Sequence, residues 1–183
     1  MEQARHILIC GEVHVGKSTL IRRLLESCTR PVYGFVTKRL AADETGFHPI
    51  YIHPASEQNR VYEDGNRIGT CDTKVHNVNA DTFNTLGVSY LSCAKPGGVI
   101  LMDELGFMEA QAEDFVRAVF AALDGDIPVI AAVKARYDVP FLNKVRAHPN
   151  GRLYNITTEN RDEMYEQLLP VMQGWNKTGE KIR

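Results

Sequence analysis

Gly11-Glu12-Val13-His14-Val15-Gly16-Lys17-Ser18-Thr19 sets two glycines, a lysine and two hydroxyls in the spacing G-x-x-x-x-G-K-[ST]. The spacing has a mechanical meaning. Gly11 and Gly16 allow the backbone to curl until successive N–H groups, from Gly11 through Thr19, point inward at phosphate oxygens. A helix opening near Lys17 aims the positive end of its dipole at the same point. The Lys17 ammonium then reaches the β- and γ-phosphates, and the Ser18 hydroxyl is a ligand for Mg²⁺. In a chain of average composition a chance match is roughly a one-per-cent event or less, so a phosphate-binding loop is expected here. The His14 ring is expected to point away from the phosphates while its backbone N–H stays in the cradle.

A second chemical element is Val99-Ile100-Leu101-Met102-Asp103-Glu104, four apolar residues followed by two acids. A carboxylate at the end of a buried strand is costly unless something pairs with it. A Mg²⁺ held by Asp103, directly or through water, would supply that pairing. Glu104 would then orient or deprotonate a water attacking the γ-phosphate. Hydrolysis needs such a group, whereas a phosphotransferase must keep water away. Weaker candidates follow later strands. Lys134 and Arg136 either face the γ-phosphate or are solvated surface cations. In Thr158-Glu159-Asn160-Arg161, Asn160 and Arg161 either border the nucleotide base, by hydrogen bonding and stacking, or form a helix cap and a surface ion pair.

The elements that must position these residues alternate along the chain. His6–Cys10 reads as a buried strand, and Leu20, Ile21, Leu24 and Leu25 form the apolar face of a helix over 17–27. Gly34–Ala55 reads as a hairpin about the polar turn 43–46, and a second short hairpin is expected around Asp64-Gly65-Asn66 in an otherwise irregular stretch. A helix over about 80–94 stops at Lys95-Pro96-Gly97-Gly98. The strand 99–102, a helix over about 109–123, the strand 127–133, a short helix over 140–147 and a strand over 152–156 complete the alternation. Asn160 is expected to cap a last helix, with Glu163 reaching back, and Pro170 to end or kink it. One domain over 1–175 and a polar tail over 176–183 are expected. Continuous apolar strands between helices argue for an α/β fold, a mostly parallel sheet with helices on both faces and the hairpin as an antiparallel insertion. Ligands on such sheets bind beyond the carboxyl ends of the strands.

Composition narrows the partners. In 183 residues, 21 Lys+Arg against 23 Asp+Glu leave no basic surplus to recommend a nucleic acid or an anionic lipid surface. No apolar window is long enough to span a membrane and no secretory leader is legible, so a cytoplasmic protein is expected. Cys10, Cys28, Cys71 and Cys93 lack paired C-x-x-C spacing and read as reduced thiols. The six histidines are equally scattered and suggest no metal box.

Taken in order, the phosphate loop through Leu20, Gly34-Phe35-Val36-Thr37, Asp103-Glu104-Leu105-Gly106-Phe107-Met108-Glu109 and Thr157-Thr158-Glu159-Asn160-Arg161-Asp162 resemble the THEP1 family of small nucleoside-triphosphatases. That family pairs the loop with a D-E-[IL]-G-x-M-E segment and a late T-x-x-N-R. The likeness runs from about residue 5 to 172 and is thinnest between 40 and 95. It implies a P-loop NTPase fold in which one strand separates the Asp103 strand from the Gly11 strand. It also implies slow Mg²⁺-dependent hydrolysis of ATP, GTP and other nucleoside triphosphates. By position, Lys17 and Ser18 take the phosphate and metal roles, Asp103 the metal and Glu104 the water. The chain departs from the pattern at Phe107, where the family usually has Lys, and near His14, where a proline or glycine is common. Two other classes stay open on the residues alone. One is a small-molecule kinase using Asp43 or the acids near Asp64 to bind an acceptor; the other is a nucleotide-binding switch with residual hydrolysis. Oligomeric state is not legible.

Overall fold

Side chains that are apolar on both sides of the backbone are stable only in a strand covered on both faces, and such strands occupy the middle of this molecule. In the computed structural model, which describes residues 5–72 and 74–179, the strands are β1 (His6–Gly11), β2 (Val32–Arg39), β3 (His48–Pro54), β4 (Arg67–Cys71), β5 (Val75–His76), β6 (Val99–Leu105), β7 (Val129–Lys134) and β8 (Gly151–Asn155). They form one eight-stranded sheet in the order β5-β4-β3-β2-β6-β7-β1-β8. The pairs β2·β6, β6·β7, β7·β1 and β1·β8 are parallel, and β3, β4 and β5 extend the sheet antiparallel from β2. β7 separates β1 from β6, the spacing that the family resemblance implies.

Alternation within each strand feeds two cores. Leu8, Phe35, Met102 and Ala131 face helices α4 (Glu113–Asp124) and α5 (Pro140–Arg146), together with the helical segment after residue 80. Ile7, Ile9, Leu101, Ile130 and Ala132 face α1 (Lys17–Glu26) and the last helix, labelled α6 below (Arg161–Gly179). Helices therefore cover both faces, as expected. Each fully buried Leu or Ile contributes about 1.5–3 kcal/mol, so this double coverage is the main source of stability.

Four local expectations are corrected. Pro170 does not end the last helix, which runs on to Gly179 with the proline inside it. Pro170 is on the solvent side, while Leu168, Met172 and Trp175 around it are buried against the sheet and offset the roughly 3 kcal/mol cost of an interior proline. The same helix carries the expected tail as far as Gly179, and Asn176 is docked: its Nδ2 donates to the Ser27 carbonyl at 2.8 Å and its Oδ1 accepts from Thr29 N–H at 3.1 Å. Residues 180–183 lie outside the described ones. Asp64–Asn66 is a single 3₁₀ turn that leads into β4, and the reversal comes between β4 and β5, where Asp72 Oδ1 accepts the Lys74 N–H at 2.6 Å. The helix expected over 80–94 is divided into α2 (Ala80–Thr82), a wider π turn at Phe83–Gly87 and α3 (Val88–Ser92). Phe83 is fully buried in that turn, and Asn84 Oδ1 there accepts the Phe115 N–H at 3.1 Å.

The parallel register decides where chemistry can occur. Gly11 stands opposite Lys134, Cys10 opposite Asn155, Val36 opposite Asp103, and Leu105 opposite Val133. The carboxyl ends of β1, β2, β6, β7 and β8 therefore meet along one edge.

Candidate active site

Between β1 and α1 the loop turns through two residues of positive φ, His14 at 66° and Gly16 at 103°. Gly16 is the position where an L side chain would be strained, and the turn there delivers Lys17 and Ser18 to the helix start. Lys17 is only 5% exposed. Its Nζ donates to the carbonyls of Gly11 at 2.9 Å and Glu12 at 2.8 Å and lies 3.1 Å from Glu104 Oε2. The other oxygen of Glu104 lies 3.4 Å from Lys134 Nζ. Two lysines, one opening α1 and one ending β7, thus hold one carboxylate between them.

Asp103 and Glu104 fall where the β6·β7 register shifts, between Met102 and Leu105, so both side chains leave the ladder. The Glu104 N–H donates to Thr37 Oγ1 on β2 at 3.3 Å. Ser18 Oγ donates to Asp103 Oδ1 at 2.8 Å. Burial pushes the Asp103 carboxyl up to about 6, with the Ser18 hydrogen bond pulling it down and the charge of Glu104 adding to the rise.

The loop after β6 is braced by a residue whose role is not legible in the sequence. Glu109 is 3% exposed, and its Oε2 accepts the Gly106 N–H at 3.1 Å. Burial pushes its carboxyl up to about 7, against its backbone hydrogen bonds and the charge of Lys134. Its place in Asp103-Glu104-Leu105-Gly106-Phe107-Met108-Glu109 was the available signal. Phe107 lies under two cations, with Lys134 Nζ 5.7 Å and the Arg136 guanidinium 5.0 Å from the ring centre. Arg146, from α5, was also missed. It donates to the carbonyls of Lys134 at 2.7 Å and Arg136 at 2.9 Å and so fixes the loop after β7. Arg60, from the segment after β3, acts on Asp103 by its charge, and its Nε is buried with no hydrogen-bond partner among the described residues.

These groups open into one cavity of about 950 Å³, lined at one end by Val13, His14, Gly16, Lys17, Ser18 and Thr19 and by Asp103, Glu104, Glu109, Lys134 and Arg136. The expected members Gly11, Glu12 and Val15 belong to the loop without lining the cavity; Gly11 and Glu12 offer carbonyls to Lys17. Arg136 is at the rim, ion-paired with Asp138 at 2.6 Å. Asn160 and Arg161 do not line it. The Asn160 amide braces its own loop, with Oδ1 accepting the Thr157 N–H at 2.8 Å and Nδ2 donating to the Asn155 carbonyl at 3.0 Å. Glu163 does not reach back to it but accepts from Gln167 Nε2 at 3.1 Å. Arg161 lies beside the loop, its Cδ 3.7 Å from where a Cβ on Gly16 would stand. Asp43 and Asp64, the acids that a kinase reading would need, line a separate cavity of about 280 Å³. Both are engaged there, Asp43 by Thr45 and Asp64 by Arg67.

A family model described as NTPase matches residues 6–169, nearly the whole of the sheet and both helix layers. The chain belongs to the THEP1 family of nucleoside-triphosphatases. It is 30% identical over 171 residues to the nucleoside-triphosphatase THEP1 of Methanocaldococcus jannaschii, covering 89% of this chain and 94% of that one. Identity to the Aquifex aeolicus nucleoside-triphosphatase THEP1 is 28% over 182 residues, covering 91% and 98%. The human cancer-related nucleoside-triphosphatase is 27% identical over 191 residues, covering 95% and 100%. The crystal structure of THEP1 from Aquifex aeolicus superposes with a TM-score of 0.74 at 25% identity, over 92% of this chain and 99% of that one. As a member of the family, the chain is an enzyme of the nucleoside-triphosphatase kind, with the P-loop fold that the motif led us to expect. No helix among the described residues is long and apolar enough to cross a membrane.

Proposed function

We propose that the chain hydrolyses ATP and GTP, with little preference between bases, to the diphosphate and phosphate in a Mg²⁺-dependent reaction. The observation that carries this reading is the position of Glu104. Its carboxylate stands 3.1 Å from Lys17 Nζ and 3.4 Å from Lys134 Nζ, at the far end of the loop whose amides would cradle the phosphate chain. A triphosphate lying along that loop would direct its γ-phosphate at this group. Glu104 orients the attacking water and takes up its proton. Lys17 and Lys134 stabilise the charge that gathers on the transferred oxygens.

The donor set fits a metal that arrives with the nucleotide. Ser18 and Asp103 offer two oxygens 2.8 Å apart, and no cluster of three or more metal-ligating side chains is found among the described residues. Mg²⁺ is commonly held by one or two protein oxygens, with phosphate and water completing its shell. When bound between Ser18, Asp103 and the phosphates, it would neutralise developing charge. Loose base preference follows from the side chains beyond the phosphates. Asn160 spends its amide on its own loop, and Arg161 would border the base by stacking, a contact open to any base. Free thiols at Cys10, Cys28, Cys71 and Cys93 suit a reducing, cytoplasmic setting.

The test is phosphate release from ATP and GTP with Mg²⁺, comparing the intact protein with Glu104→Gln and no second substrate. The variant should bind nucleotide yet release phosphate roughly 10²–10⁴-fold more slowly. Turnover by the variant at the rate of the intact protein would remove Glu104 from its role. A strong preference for one triphosphate would overturn the broad base reading.

A further inference from the structure

The cavity does not end at the phosphate loop. β2 runs parallel to β6 with Val36 opposite Asp103, so Thr37, Lys38 and Arg39 extend past the two acids. There the cavity widens over the antiparallel strands, where its floor is Ile50, Ile68, Cys71, Val75 and Met108. Ile68, Cys71 and Met108 are buried, and Met108 is seated directly on β4, its Cε 2.8 Å from where a Cβ on Gly69 would stand. Around that floor the cavity is lined by Arg39, on the same face of the sheet as Ile50, by Lys38, on the opposite face of β2, and by Lys74, all exposed. Among the described residues none of the three side chains has a hydrogen bond or ion pair. The nearest acid in this half, Asp72, is taken by its own hairpin, accepting the Lys74 N–H at 2.6 Å and lying 2.9 Å from a His76 ring nitrogen.

A nucleoside triphosphate does not account for this half. On the function proposed above, on which this inference rests, the triphosphate lies along the loop with its base toward Arg161, and Arg161 does not line the cavity. We propose that the hairpin half of the cavity is a second binding site, for a small organic phosphate with an apolar body, seated beside the γ-phosphate position. Arg39 and Lys74, unpaired among the described residues, suit a dianion, Lys38 adds positive charge at the edge, and the Arg39 fork suits a phosphate in particular. The apolar floor takes the body of the ligand, and the few charged groups at the rim fix its orientation.

The probe is 1-naphthyl phosphate, titrated by fluorescence into protein saturated with Mg²⁺ and a non-hydrolysable ATP analogue. One molecule should bind per chain, and the double variant Lys38→Glu/Arg39→Glu should weaken it tenfold or more. Lys144→Glu, a charge reversal on α5 away from the cavity, should leave it unchanged. Binding of the probe to the protein alone that the saturating analogue abolishes would mean a single shared site and would overturn the proposal. So would an absence of binding, or affinity indifferent to the Lys38/Arg39 reversal. Nucleotide binding is measured on the same samples. If the analogue itself fails to bind, the functional reading falls, and titration of the protein alone, with the same variants, then decides the second site.

Discussion

At the phosphate-loop end of the cavity, charged groups are committed to one another: Lys17 to Glu104 and two carbonyls, Lys134 to Glu104, and Asp103 to Ser18. At the hairpin end, Arg39 and Lys74 stand beside an apolar floor, with Lys38 on the other face of β2, and none of the three has a side-chain partner among the described residues. The first end is built on parallel strands covered on both faces, whose register brings residues distant in sequence within 3–4 Å of each other. The second is built on short antiparallel strands at the margin of the sheet. Groups held by packing and by each other keep their geometry at little entropic cost, as catalysis requires. Cations on a sheet margin adapt to a ligand at the cost of ordering it. On the readings proposed above, chemistry belongs to the first end and the binding of a second ligand to the other.

The largest effect expected from breaking the committed end is on turnover. Lys17→Met keeps the length of the side chain but removes the charge that reaches the phosphates. Phosphate release should fall roughly 10³-fold, the scale for losing a preorganised charge contact at a transition state. A loss of less than tenfold would show that Lys134, from β7, can stand in for Lys17, and would weaken the assignment of chemistry to the loop.

Stability should divide along the same line. Gly34, on β2 at φ 93°, allows backbone contact with β6, and a Cβ there would meet the Leu101 carbonyl oxygen at 2.0 Å. Gly34→Ala should cost about 3 kcal/mol or more, since strain and a backbone clash add. Val75→Ala, on the marginal strand β5 with a half-buried side chain, should cost about 1 kcal/mol or less. Urea unfolding of both variants checks the pair. Equal losses would mean that the margin belongs to the same cooperative core as the centre, and the proposed division would fail.

These regions also differed in how far the sequence revealed them. The phosphate loop was legible because nine consecutive residues carry it. Asp103 and Glu104 were legible because acids at the end of an apolar strand need a partner. Lys134 and Arg136 could be placed near the site only because a parallel sheet gathers its carboxyl ends. The hairpin half was not legible, since Arg39, Ile50, Ile68, Val75 and Met108 meet only through the pairing of β2, β3 and β4 and the seating of the loop after β6. Pro170 misled for a related reason: helix propensity is local, whereas the burial of Met172 and Trp175 that overrides it is not. For Asn160 the sequence leaves a cap and a base contact as alternatives, because the type of a residue does not say which neighbour its amide will find.

Glu109 sharpens the contrast from within the committed end, as a buried acid with no ion pair of its own among the described residues. Its carboxyl rises from an ordinary 4.5 to about 7 in the fold. The folded chain then holds a proton that the unfolded chain has already released, so the stabilisation is complete below 4.5 and is lost as pH climbs through 7. The loss is on the order of 3 kcal/mol between those limits. Glu109→Gln retains an oxygen for the Gly106 N–H and should flatten that decline. Unfolding free energies at pH 5 and pH 8 test it, and an unchanged slope in the variant would assign the pH dependence to another group.

The smallest expected effect lies on the border between the two ends. Thr37 is on β2, between the acids and Lys38, and its Oγ1 accepts the Glu104 N–H at 3.3 Å. Thr37→Val keeps the shape of the side chain but leaves that N–H without its acceptor, at a cost of about 1 kcal/mol. If the bond sets the aim of Glu104, the cost appears in the transition state, as a fall in kcat of roughly threefold to tenfold with KM for ATP little changed. A fall as large as that of Glu104→Gln would mean that Thr37 itself touches the attacking water, which would move the boundary of the chemistry onto β2. An unchanged kcat would mean that β2 only flanks the catalytic end. Its residues would then belong wholly to the hairpin side of the cavity, where Lys38 and Arg39 stand, and the two ends would meet without a shared strand.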